Sequence, residues 1–169
     1  MTITELLADS FGRIREVVHD AVEGLTPEQL VVQPDADANT IAWLVWHLTR
    51  IQDDHVAAAF AREQIWISDG WYDRFALPFE PTAHGYGHRI DDVVAVRVES
   101  GDLLTGYHDA VFARTQQCLG GLSETDLDRI VDTSWDPPVS LGVRLVSVIA
   151  DDLQHAGQAA YVRGLVERQ

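Results

Sequence analysis

The apolar residues of this chain recur with a helical period along most of its length. Four long segments place apolar residues three and four positions apart, the spacing of helices with one buried face. The strict alternation typical of a half-exposed strand is nearly absent. Threonine and serine residues suited to N-caps precede the later segments. The pattern predicts long helices at residues 4–24, 40–62, 101–119 and 140–166.

The connections between these helices differ greatly in length. The longest, residues 64–89, is rich in glycine, proline and aromatic residues, and short helical turns are predicted near residues 27–30, 91–98 and 123–130. A chain of 169 residues with four such helices fits one domain over residues 1–169. We therefore predict an all-α four-helix bundle with a long crossover connection between helices 2 and 3.

The aromatic residues of the long connection have two interpretations. Trp66, Trp71, Tyr72 and Phe75 lie close together in the sequence. They either cover the bundle or form an exposed face through which two copies associate. On the second interpretation we expect a homodimer.

Charge and composition exclude several classes of function. The net charge is −15 and the sequence pI is about 4.6, which argues against binding nucleic acid or an anionic membrane surface. No apolar run approaches the roughly 18–20 residues of a membrane span, and the N-terminus lacks a signal-peptide pattern, so we expect a cytoplasmic protein. The single cysteine, Cys118, permits no intrachain disulfide and is expected to be a buried, inert thiol.

Polar residues interrupt the otherwise apolar helix 4. Asp151 and His155 are four positions apart and therefore share one face of the helix, whereas Asp152 lies about 60° from His155 and is less favoured. Helix 2 carries His47 among apolar and aromatic residues, where polar groups are scarce. Burying such groups is costly unless they are paired or bound to something.

Two interpretations of these residues stay open at the level of the sequence. His47, Asp151 and His155 on facing helices would form a three-ligand site with open positions, suited to Zn²⁺ or to Ni²⁺ or Fe²⁺. Alternatively, the bundle is purely structural and Asp151 pairs with Arg144 or with His47. A lone histidine on a helix is commonly a core residue whose hydrogen bonds are satisfied. The metal-site interpretation therefore depends on the combination of His47 on helix 2 with Asp151 and His155 on helix 4.

The other histidines have weaker claims. His19 belongs to an E-x-x-H motif, but helices 2, 3 and 4 lack the further ligands of a di-iron bundle. His55 is expected at a cavity mouth or in solvent. His84 and His88 are expected either to line an entrance to the space between the helices or to lie on a surface loop. His108 on helix 3 is a weaker candidate for facing that space.

Two segments resemble a known family. "NTIAWLVWHLTRIQDDH" (39–55) and "DDLQHAGQAAYVRG" (151–164) are similar to the DinB-like superfamily. That superfamily includes mycothiol-dependent maleylpyruvate isomerases and bacterial thiol transferases that use mycothiol or bacillithiol. The similarity in layout covers nearly the whole chain.

The resemblance implies a four-helix bundle that holds a divalent metal with three side chains. The family's ligand on helix 2 matches His47, and its two ligands on helix 4 match Asp151 and His155. The family usually has histidine or glutamate at the position of Asp151, so the aspartate is a departure.

The resemblance also implies a function. It points to a metal-dependent S-transferase or isomerase that uses a low-molecular-weight thiol as co-substrate and acts on an electrophile. Arg144 is then a candidate contact for a substrate carboxylate. The alternative is a non-catalytic bundle that binds a metal or a small ligand in a stress response.

Overall fold

Helices dominate residues 1–168, the part of the chain that this computed structural model describes. The elements in chain order are α1 (Ile3–Val22), α2 (Pro27–Leu30), α3 (Ile41–Ala59), α4 (Ile65–Ser68), α5 (Trp71–Phe75), α6 (Ile90–Ala95), α7 (Gly101–Leu119), a 3₁₀ helix (Glu124–Asp128), β1 (Ile130–Asp132), β2 (Val139–Ser140) and α8 (Leu141–Val166). The four predicted long helices are α1, α3, α7 and α8. The all-α prediction is confirmed.

The long helices begin where hydroxyl side chains cap them. Thr40 accepts a hydrogen bond from the backbone N–H of Trp43 at 3.1 Å, and Ser140 caps α8 in the same way. Helix α3 ends three residues before its predicted end. The N–H of Arg62 bonds back to the carbonyl of Ala57, with Ala61 in the left-handed conformation at φ 50°. The alanine-rich sequence contains no glycine here, so no residue pattern predicts that the helix ends at Ala59.

The directions of α3 and α7 explain the long connection between them. Thr49 and Gln52 of α3 contact His108 and Thr115 of α7 at 3.1 and 2.8 Å, in the same order along both helices. The two helices therefore run parallel, and residues 60–100 must return along the length of the bundle. The predicted crossover is confirmed.

Helix α8 runs antiparallel to α3 and packs against it. His55 of α3 contacts Arg144 near the start of α8, whereas His47 contacts His155, about three helical turns further along α8. Helices α1 and α7 complete the bundle, with α1 packed on both α7 and α8. The neighbouring faces of α3 and α8 thus form a groove, which carries the candidate site.

The aromatic residues of the crossover cover the bundle. Trp66 and Phe75 are buried, and the rings of Trp66, Trp71 and Phe75 lie 5.1, 5.5 and 5.8 Å from the ring of Tyr107 on α7. The first of the two interpretations of this segment is therefore the observed one. The homodimer stays a prediction. Its interface would not be formed by Trp66 and Phe75, because both are buried within one chain.

A short antiparallel ribbon precedes α8 and was not predicted. Ile130 of β1 pairs with Ser140 of β2. Strands of three and two residues are too short to produce a period-two pattern, and the intervening prolines indicate only a break. The ribbon matters because it carries Asp132 to Arg144, at 2.6 Å.

The single cysteine and the hydrophobicity of the helices were also subjects of sequence-based predictions. Cys118 is buried, as predicted, and its burial raises the pKa of the thiol. Across residues 1–168, none of the helices combines the length and the hydrophobicity that crossing a membrane requires.

Candidate metal centre

Three predicted site residues converge in the groove between α3 and α8. His47, Asp151 and His155 each offer one ligand atom, and these atoms lie within 4.8 Å of one another. Nε2 of His155 is 3.8 Å from Oδ1 of Asp151, and the two imidazole rings are 4.8 Å apart at 75°. The ligands of a tetrahedral zinc ion lie about 3.4 Å apart. Small side-chain rotations would bring the three atoms to that spacing.

His47 is oriented by the backbone of the crossover. Its Nδ1 forms a hydrogen bond with the carbonyl oxygen of His84. Because a carbonyl only accepts, Nδ1 carries the proton and Nε2 keeps its lone pair. The ring also stacks on Trp43, with centroids 4.6 Å apart and planes inclined by 15°.

The environment of His47 keeps the imidazole neutral. Burial lowers its pKa from 6.5 to about 4, against the opposing effect of the hydrogen bond with His84. Neutral imidazole is the form that binds a metal ion. At neutral pH the ring is therefore ready to act as a ligand.

The α8 residues of the site show a similar arrangement. Oε1 of Gln158 lies 2.9 Å from Nδ1 of His155 and accepts a hydrogen bond from it, so Nδ1 keeps the proton and Nε2 is left free on the side of Asp151. The Asp151 side chain is 38% exposed, yet its Oδ2 is buried and meets no hydrogen-bond donor in the described part of the chain. A buried carboxylate oxygen of this kind needs a partner, and a cation would supply one.

Asp152 points elsewhere. It is fully buried on the core-facing stripe of α8 that also includes Val148 and Ala156. Burial, and then the charge of Asp151, raise its pKa well above the usual value. Neither of its oxygens has a hydrogen-bond partner among residues 1–168. The converging carboxylate is Asp151.

Arg144 lies in a cavity on one side of the three-residue cluster. Its guanidinium donates to Asp132 at 2.6 Å and to Nδ1 of His55 at 3.4 Å, so its ion-pair partner is Asp132 and not Asp151. The cavity has a volume of about 420 Å³ and is also lined by Trp135. Asp151 follows Arg144 by seven positions on α8, a rise of about 10 Å along the helix.

A second cavity lies on the other side of the cluster. It has a volume of about 530 Å³, and its lining includes Asp37, Asn39, Tyr161 and Gln158, the side chain that orients His155. The candidate centre therefore lies between two cavities along the same groove.

The segment "HGYGH" (84–88) contacts the candidate centre through its backbone as well as through its side chains. The carbonyl of His84 holds His47, and Nδ1 of His88 accepts a hydrogen bond from Nε1 of Trp43 at 3.2 Å. Gly85 has φ +94°, and a Cβ there would lie 2.5 Å from Nδ1 of His47. Sequence reasoning missed this role. The two glycines flanking Tyr86 are the only signal of a close backbone approach that the sequence offers.

The remaining histidines lie outside the centre. His108 is fully buried, and its Nδ1 is 3.1 Å from the hydroxyl of Thr49. His19 contacts Asp109 at 2.8 Å on the opposite side of the bundle. Residues 1–168 contain no second group of three potential ligands, so the E-x-x-H motif does not form a di-iron site there.

Comparison with known proteins assigns the chain to a family. A family model described as mycothiol S-transferase matches residues 6–168. The chain belongs to the mycothiol S-transferase family. The predicted DinB-like resemblance is thereby confirmed.

A solved structure supports the fold of this mycothiol S-transferase family member. The crystal structure of a conserved protein from Enterococcus faecalis superposes with a TM-score of 0.92 at 31% sequence identity. The alignment covers 100% of this chain and 99% of that protein. A comparison with curated protein sequences finds no match.

Proposed function

We propose that this protein is a metal-dependent S-transferase, or a related isomerase, that uses a low-molecular-weight thiol of the mycothiol type in the cytoplasm. The observation that carries the proposal is the convergence of His47, Asp151 and His155. The family match supports the class of thiol. The alternative is a bundle that binds a metal or a small ligand without catalysing a reaction.

The donor set fits a divalent cation. Two histidines with Nε2 free and one carboxylate make three protein ligands, the number found in catalytic zinc sites that keep a position open. The buried Oδ2 of Asp151 is the unsatisfied acceptor that a cation would neutralise. We expect Zn²⁺, with Ni²⁺ or Fe²⁺ as alternatives for the same donors.

The bound cation would lower the pKa of a ligating thiol and make a thiolate available at neutral pH. The chain's own residues prepare for this. The carbonyl of His84 and the amide of Gln158 each fix one imidazole, so that both rings present Nε2 toward Asp151. The stacked ring of Trp43 shields His47 from water.

The two cavities accommodate two substrates. We propose that the electrophile occupies the cavity of Arg144, where the guanidinium and the exposed Trp135 face the space. Arg144 would contact an anionic group of the substrate, in competition with Asp132. The body of the thiol would then occupy the cavity beside Gln158. In the transfer, the thiol first releases its proton, and the thiolate sulfur then forms a bond to the electrophile's carbon. The bond from that carbon to the leaving group breaks, and its electron pair departs with the leaving group.

The decisive experiment is a titration of the zinc-loaded protein with mycothiol by calorimetry, beside the metal-free protein. Binding that requires zinc supports the proposal. Zinc binding without thiol binding favours the non-catalytic alternative. A protein that takes up no divalent metal would refute the metal centre and leave a structural bundle.

A further inference from the structure

A fully buried arginine lies one helical turn after His47 on α3. The guanidinium of Arg50 is 0% exposed and donates to the side chain of Gln64 at 2.8 Å. It also donates to the backbone carbonyls of Ala83 and Pro81, at 3.1 and 3.5 Å. Arginine suits this position because its planar fork reaches several acceptors at once, which a lysine ammonium does not.

A buried aspartate on the next turn of α3 also binds the crossover. Asp53 lies 3.8 Å from Arg50 and accepts hydrogen bonds from the backbone N–H groups of Ile65 and Trp66 and from the hydroxyl of Tyr107. Asp53 therefore holds the beginning of the crossover, and Arg50 holds residues 81–83 further along it. Such a buried pair is retained only when its partners satisfy both charges, as they do here.

Residues 81–84 of the crossover lead directly to the candidate centre. His84 follows Ala83, and its carbonyl holds Nδ1 of His47. Gly85 comes next, with no room for a side chain against His47. Hydrogen bonds thus connect Arg50 of α3 to residues 81–83, and the next residue, His84, bonds back to His47 of α3.

We propose that Arg50 is a positioning residue for His47. By holding the carbonyls of Pro81 and Ala83, it places the carbonyl of His84, which sets the tautomer and direction of the His47 ring. Arg50 touches neither the ligand atoms nor the two cavities, so its effect passes through the backbone of residues 81–84. The inference rests on the metal centre proposed above.

The first test measures zinc affinity by competition with a chromophoric chelator. Arg50→Lys keeps the charge beside Asp53 but loses the fork, and Gly85→Ala pushes His84 and His47 apart. Loss of a group that orients a metal ligand typically lowers metal affinity about 10–100-fold, and we expect a loss of that size in both variants. Should Arg50→Lys fail to fold, Gly85→Ala still tests the same path at its other end.

Two control variants separate positioning from general destabilisation. Gly87→Ala has a comparable left-handed φ of +77°, but no heavy atom of the described chain lies within 4 Å of the added Cβ. Tyr107→Phe removes the hydroxyl that bonds Asp53 and Arg50 without touching residues 81–85. Both controls should lower the melting temperature and leave zinc affinity within a few-fold of the wild type.

The second test needs no metal. In ¹⁵N NMR of the metal-free protein, His47 should carry its proton on Nδ1 in the wild type and in Gly87→Ala, and be a mixture of tautomers in Arg50→Lys and Gly85→Ala. Absence of zinc binding by the wild type would refute the metal centre, while the tautomers would still decide the role of Arg50. Unchanged zinc affinity in folded Arg50→Lys, or an unchanged His47 tautomer in that variant, overturns the proposal whatever Gly85→Ala does.

Discussion

Zinc should stabilise the metal-free protein against heat, and His155→Ala should abolish that effect. A ligand present at one hundred times its dissociation constant stabilises the folded state by about 2.7 kcal/mol. For a chain of this size each kcal/mol shifts the melting temperature by about 2–4 °C. We therefore expect zinc to raise the melting temperature of the wild type by about 5–10 °C.

The structure indicates that His155→Ala will still fold. The His155 side chain is 19% exposed at the edge of the groove, where its ring contacts His47 and Trp43. The buried stripe of α8 that packs the helix against the bundle does not include it. Loss of these ring contacts should cost about 1 kcal/mol, less than the zinc effect that the variant is designed to remove.

Differential scanning calorimetry of both proteins, with a chelator and then with zinc, provides the measurement. Gln154→Ala is the matched control, because Gln154 is exposed on the adjacent position of α8 and, within residues 1–168, its side chain bonds only to the carbonyl of Ala150. The control should retain the full rise. An equal rise in His155→Ala, or no rise in the wild type at saturating zinc, would refute the assignment of His155 as a ligand.

Three further predictions concern residues outside the cluster and the assembly. Between pH 7 and pH 4 the wild type should lose about 3 kcal/mol more stability than His108→Asn, measured by urea unfolding. Unfolded histidine takes up a proton below its pKa of 6.5, whereas burial lowers the pKa of folded His108 to about 4; parallel pH profiles would contradict this. Asp152→Asn should raise the free energy of unfolding at pH 7 by about 1–3 kcal/mol, because it removes the cost of burying an ionisable carboxyl whose pKa burial raises well above its usual value. Its zinc affinity should stay near that of the wild type, and a tenfold loss would place Asp152 in the site. Light scattering at micromolar concentration should give the mass of a homodimer, and a monomer mass would count against that prediction.

The sequence by itself determined the helices and the face on which two of the candidate ligands lie. Helical periodicity and capping residues locate α1, α3, α7 and α8 because both are local properties of the chain. The four-residue spacing of Asp151 and His155 puts them on one face before any packing is known. The same spacing argument favoured Asp151 over Asp152.

Only the tertiary structure decided what surrounds those ligands. The His84 carbonyl reaches His47 because the crossover returns along the bundle, a contact between residues 37 positions apart that no local pattern encodes. Asp132 meets Arg144 because a ribbon too short for a periodic signal brings the two together. Packing on Tyr107 buried the aromatic residues that composition alone left open to a dimer interface. Spacing along one helix follows from backbone geometry, whereas partners on different elements depend on how the whole chain packs.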